Sequence, residues 1–260
     1  MSKSRRYSAL NTVATAALLI SGQSAHAQEQ SLQSQASDPT ASLMSFQLQN
    51  FYSPNLHNSG ADQNILQFRA AIPFQIGGIN NIARVTLPYA TDTASGKSGF
   101  QDITVFNLAA FDQSWGRYGI GAVALLPTGS SDLTADKWGL GPALGFVARP
   151  SWGLFGLFNQ NIFTIAGDDD DPDVNISTIQ PILNVGLGNG WSVGSSDMTF
   201  VYDWEASEFT SLPLGVKVSK LTKLGQVPFQ VQLSYERNFY DDRIGPEDTL
   251  GLTFKVLLPR

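Results

Sequence analysis

The chain has 260 residues, 42% of them hydrophobic and 15% charged, with no Cys. A charged fraction so far below the roughly 25% of soluble domains argues against an ordinary cytosolic enzyme. Sixteen Lys and Arg against 22 Asp and Glu leave no basic footprint for nucleic acid. Without cysteine there is no disulfide framework, thiol catalysis or thiolate zinc site, and two histidines are too few for a multi-histidine metal centre.

The first residues read as an export signal. Lys3, Arg5 and Arg6 precede a short apolar run from Ala9 to Ile20, and Ala25-His26-Ala27 forms a small-x-small cleavage site before Gln28. The run is too short for the ~20 apolar residues of a spanning helix. Removal of residues 1–27 takes away three cations and no carboxylate, lowering the net charge from -6 to -9 and leaving His57 as the only imidazole. Residues 28–42 are polar and read as a flexible periplasmic lead-in.

From there to the C-terminus apolar residues alternate with polar or small ones, the period of a strand. Met44, Phe46 and Leu48 oppose Gln47 and Gln49. Leu66, Phe68, Ala70 and Ile72 oppose Gln67 and Arg69. Leu214, Val216 and Val218 oppose Gly215, Lys217 and Ser219. Val227 to Tyr235 oppose Gln230, Gln232 and Ser234, and Leu250 to Leu258 oppose Gly251, Thr253 and Lys255. The pattern predicts about twelve strands, near 43–52, 63–76, 80–89, 100–113, 117–127, 138–149, 153–165, 175–188, 191–205, 210–221, 226–238 and 248–258. Short connections such as Gly77–Asn80 and Asn189–Gly190 alternate with longer polar ones such as Ser53–Asp62 and Gly167–Val174. An even number of long antiparallel strands with this alternation is the signature of an up-and-down outer-membrane β-barrel over 43–260. The aromatic residues agree. Trp115, Trp152 and Trp191 fall at one set of strand ends, and Tyr52, Trp138, Trp204 and Tyr240 at the other, as two interfacial girdles require.

Several segments carry a resemblance to a known family: DPTASLMSFQLQNFY (38–52), LQFRAAIPFQI (66–76), LLPTG (125–129), VYDWEA (201–206), LPLGVKV (212–218) and GPEDTLGLTFKVLLP (245–259). In motif order, over nearly the whole mature chain, they resemble a family of proteobacterial outer-membrane transporters associated with the meta-cleavage pathway of phenol degradation. The resemblance implies a barrel in a Gram-negative outer membrane that passes small molecules, aromatic hydrocarbons among them, and brings no catalytic residue. One departure is the C-terminus. Many such barrels end in an aromatic residue read by the barrel assembly machinery, whereas this chain ends Leu258-Pro259-Arg260.

The alternation also assigns a pore lining: Gln47, Gln49, Gln67, Arg69, Arg84, Gln180, Asn184, Asp203, Glu205, Lys217, Gln230, Gln232, Glu236 and Lys255. Strand direction places Arg84, Lys217 and Lys255 in the periplasmic half and Asp203, Glu205 and Glu236 near the outer mouth. The expectation is a lumen acidic above and basic below, able to bias permeation by charge. The same groups could instead pair and plug it, since twelve strands lie between filled and open barrels.

The acidic run Asp168, Asp169, Asp170, Asp171 and Asp173 is a weak Ca²⁺ candidate, lacking the spacing and closing Glu of an EF-hand. It reads better as a solvated loop. His57 lies in a polar loop, so the chain is expected to need no cofactor and not to be an enzyme. Expected partners are outer-membrane lipids, lipopolysaccharide and a small solute. Two functions stay open: passive passage of small solutes, or a closed barrel with a structural or adhesive role through its acidic loops.

Overall fold

A computed structural model describes residues 32–33, 35–241 and 243–258. The segment expected to be the signal peptide lies outside the described residues. The strands are β1 (Met44–Leu56), β2 (Gln63–Ile76), β3 (Ile79–Asp92), β4 (Gly99–Phe100), β5 (Ile103–Gln113), β6 (Gly116–Leu126) and β7 (Lys137–Ala148). They continue as β8 (Gly153–Gly167), β9 (Ile176–Gly188), β10 (Trp191–Ser195), β11 (Phe200–Asp203), β12 (Glu208–Leu224), β13 (Val227–Asp241) and β14 (Pro246–Leu258). Each pairs antiparallel with its neighbour, and β1 pairs with β14, closing the sheet into a barrel. β4 and β5 both pair with β3, and β10 and β11 both lie between β9 and β12, so the fourteen elements make twelve staves.

The short turns carry the residues their geometry demands. Asn189 and Gly190, joining β9 to β10, have φ of 49° and 73°. Two consecutive left-handed residues make the type I′ hairpin, whose twist matches the strands, and Asn-Gly is its preferred pair.

The alternation sorts side chains as the sequence suggests on the outside. Leu48, Ile72, Ile120, Leu144, Leu183, Val216 and Leu233 stand exposed around the wall, a surface fit for hydrocarbon rather than water. Trp115, Trp152 and Trp191 project at one rim and Trp138, Trp204 and Tyr240 at the other. Val216 is 60% exposed and sits at the middle of β12. Val216→Arg should therefore destabilise the bilayer-inserted barrel by about 2–4 kcal/mol, the cost of a cation at the midplane. Denaturant titration in lipid vesicles measures this, and an unchanged midpoint would mean that this face does not meet lipid.

The inside departs from expectation. Polar alternates line the part of the wall made by β1, β2 and β12–β14, where Gln49, Ser219, Gln230, Gln232 and Thr253 are buried. Across β5–β9 the inward side chains are largely apolar, interrupted by Gln160, Gln180 and Asn184. Phe106, Leu108, Val123, Ala143, Val147, Leu154, Phe158, Ile162 and Ile182 form one packed cluster. The expectation of a polar interior throughout is thus corrected: half of the barrel is filled like a protein core. Strand periodicity reports two unlike faces only where one is polar, and β5–β9 are largely apolar on both.

The lead-in is also more ordered than expected. Residues 32–33 and 35–36 are helical, and Ala36, Ala41 and Leu43 pack with Leu221 and Leu257 at the end of the barrel that carries the short turns. Gln33 Nε2 donates to the Gly190 carbonyl (3.1 Å), Lys255 Nζ to the Ala36 carbonyl (2.7 Å), and Arg117 Nη1 to the Thr40 carbonyl (2.7 Å) and Ser42 Oγ (3.1 Å). Arg149 pairs with the buried Asp38. The polarity that suggested a solvated tether serves contacts with the barrel wall.

Candidate functional site

The stave expected over 191–205 is interrupted. The small polar run Ser195-Ser196-Asp197 breaks it between β10 and β11. Five residues, Ser195 to Thr199, there face four of β9, Gln180 to Leu183, so the chain bulges. Ser195 Oγ replaces the lost ladder bonds, accepting from Leu183 N–H (2.9 Å) and donating to the Pro181 carbonyl (3.1 Å). On the β12 side, Ser196 N–H donates to the Gly215 carbonyl at 3.1 Å. Gly215 has no room for a side chain, because a Cβ there would lie 2.2 Å from Ser196 Oγ.

The break delivers Asp197 into the lumen. Arg69 Nη1 lies 3.2 Å from its Oδ2 and Lys217 Nζ 3.3 Å from its Oδ1. Gln67 Nε2 donates to Gln49 Oε1 (2.8 Å), and Gln49 Nε2 to Thr253 Oγ1 (3.3 Å), forming a belt across β2, β1 and β14. Arg84 is held differently. Its guanidinium carbon lies 4.1 Å from the centroid of Phe106 and 5.5 Å from that of Phe158, a cation–π contact at the seam between the polar and apolar walls.

Two cavities meet at Asp197. The lower, of about 70 Å³, is bounded by Gln35–Asp38 of the N-terminal segment and by Gln47, Arg69, Arg84, Gln180, Lys217 and Lys255. The upper, of about 200 Å³, is bounded by Thr199, Ser211, Glu236, Asn238, Pro246 and Thr249, rising toward the outer mouth.

The expected lining is thus brought together in part. Gln47, Arg69, Arg84, Gln180, Lys217 and Lys255 bound the lower chamber and Glu236 the upper. Gln49, Asn184, Gln230 and Gln232 are buried in the wall, and Gln67 joins the belt. Asp203 caps its own turn, accepting from the N–H groups of Glu205 and Ala206, and pairs with Arg243 of the last outer loop. Glu205 lies exposed in that turn and accepts from Asn175 Nδ2 at 2.8 Å, outside the lumen. The acidic part of the upper lumen therefore reduces to Glu236 and Asp197. Asp197 was missed, and the run of small polar residues interrupting the alternation is the signal that could have found it.

At the outer rim, His57 Nε2 bonds the Asn238 carbonyl (3.0 Å), tying the first loop to β13. Arg237 is paired with Glu247 and Asp248. In the acidic run, Asp168 Oδ1 accepts from Asp170 N–H and Asp173 pairs with Lys137. Among the described residues no three carboxylates or imidazoles converge as metal ligands. The spacing Gly-x-Ser-x-Gly does occur at Gly190–Gly194, which sequence reasoning overlooked. It lies in a turn and strand rather than the strand-to-helix elbow that exposes a nucleophile. Its Ser192 is fully buried, with no hydrogen-bond partner for Oγ among the described residues.

No family model matches the chain, and no curated protein sequence does. Solved structures do. An outer membrane channel from Pseudomonas putida F1 matches with a TM-score of 0.60 at 13% identity, over 85% of this chain and 98% of that one. Outer membrane phospholipase A from Escherichia coli matches at 0.41 and 11% identity, over 83% and 92%. The calcium-bound phospholipase dimer from Salmonella typhi matches at 0.43 and 13% identity, over 87% and 95%. The likeness is one of fold: this is the barrel of bacterial outer-membrane proteins, with a channel among its structural relatives. The expectation that the chain is not an enzyme is withdrawn, because a shared fold does not fix function.

Proposed function

We propose that the protein is a passive outer-membrane channel for small solutes, gated at its periplasmic mouth by residues 35–43. The observation that carries this reading is the pair of cavities meeting at Asp197. A barrel serving only as a scaffold gains nothing from breaking a stave to place a carboxylate among buried cations, because a packed apolar interior is as stable or more so. The apolar wall around Phe106 and Phe158 supports a finer reading, in which aromatic or other hydrophobic compounds are among the solutes. It offers ring faces beside a polar path.

Planar-bilayer conductance of the purified full chain tests the channel directly. Stepwise openings are the expected result; a lumen silent at every voltage sinks the reading. A second reading, a closed barrel acting through its outer loops, is favoured by the N-terminal segment that bounds the lower chamber and gains from that silent outcome. Charge reversal gives a further check. Lys217→Glu with Lys255→Glu turns two cations of the lower chamber into anions, and the reversal potential in a salt gradient should shift toward cation selectivity. An unchanged reversal potential would show that permeating ions bypass the chamber.

A further inference from the structure

We infer that the lower chamber is a binding site for a small oxyanion, with Arg84 as its principal ligand. The inference rests on the channel reading only in assuming that a solute reaches the lumen. Four cations, Arg69, Arg84, Lys217 and Lys255, line the chamber against two carboxylates, Asp197 and Asp38, and Asp38 is already paired with Arg149. Asp197 pairs with Arg69 and Lys217, and Lys255 is held by the Ala36 carbonyl. Arg84 has no hydrogen bond or ion pair among the described residues, and its Nε is buried without a partner, as is that of Arg69.

A guanidinium whose Nε–H is buried without an acceptor is costly, because that donor loses water and regains nothing. The ring contacts with Phe106 and Phe158 fix its plane but satisfy none of its donors. The missing partner must be anionic and must present two acceptor oxygens to a planar fork, which carboxylates and phosphates do. Size narrows the choice. About 70 Å³ is less than half the roughly 150 Å³ of a cavity that holds benzene, so with residues 35–43 in place the ligand is of the size of acetate or inorganic phosphate. Gln47 and Gln180 line the same space and can donate to further oxygens.

The test uses the full mature chain in detergent and reads the temperature at which the compact barrel loses its fast gel migration. Sodium acetate, sodium phosphate, sodium chloride and the neutral acetamide are titrated at constant ionic strength. A saturable rise with acetate identifies a carboxylate site, and one with phosphate a phosphate site; either supports the proposal. Chloride and acetamide should give no saturable rise. Arg84→Gln should weaken the apparent affinity about tenfold or more, the usual loss when a charged hydrogen-bonding partner is removed. Arg84→Lys, which keeps the charge and loses the fork, should recover part of it. No saturable rise with either oxyanion, or one of equal midpoint in Arg84→Gln, overturns the site. Conductance of the same preparations keeps the two ideas apart: openings without oxyanion binding refute the site alone, and binding without openings refutes the channel alone.

Discussion

Asp197→Asn is expected to lower the stability of the barrel by about 3–5 kcal/mol, the usual cost of removing one partner from a buried ion pair and stranding the other. Arg69 and Lys217 both converge on this carboxylate, and Lys217 is almost fully buried. The chamber's other carboxylate, Asp38, is held by Arg149, so without Asp197 four cations face one another in a confined space. Like charges so placed repel strongly, because little water screens them. Glu236 is the nearest substitute, but it lines the upper cavity and its carboxyl already bonds Ser196. The temperature at which heat-modifiable migration is lost should fall sharply, while the anion-to-cation permeability ratio rises. A variant as stable as wild type would show that the lumen is wet enough to solvate these cations, and that Asp197 is not its electrostatic keystone.

Deleting residues 28–42 from the mature chain is expected to raise single-channel conductance severalfold. The described part of this segment closes the lower chamber, and no barrel strand depends on it for pairing. Its hold on the wall is a small apolar contact of Ala36 and Ala41 with Leu221 and Leu257 and a few polar ones: Asp38 with Arg149, the Thr40 carbonyl with Arg117, the Ala36 carbonyl with Lys255 and Gln33 with Gly190. A milder variant, Asp38→Asn, removes one contact and should lengthen openings without changing their size. That outcome distinguishes a movable segment from a fixed plug, because a plug that never leaves would show neither effect. Conductance of the truncated barrel equal to that of the full chain would place the constriction elsewhere, at Asp197 itself.

Legibility in the sequence followed the physics of each region. The strand over 63–76 was readable to the residue and that over 226–238 to within three, because one face is apolar and the other carries buried amides, and the contrast repeats every second position. The inward side of β5–β9 was not, since its Phe106, Leu108 and Phe158 are as apolar as the outward residues. The cations of the site were legible because a charge on a lipid-facing position is too costly to keep, which leaves the lumen as their only place. Their partner was not, because the bulge carrying Asp197 follows no period.

What the amino-acid sequence determined by itself is the barrel: alternation sets which side chains face out, strand length sets the span, and Asn-Gly and Gly-Gly pairs set the tight turns. These are local properties, decided within a few residues. What only the tertiary structure decided is the interior. The placing of residues 35–43 in the mouth, the break at Ser196–Thr199 and the meeting of Arg84 with Phe106 and Phe158 join positions far apart in the chain. Such contacts exist only after β1 has closed on β14, because closure is what turns one face of a sheet into a shared, water-poor space.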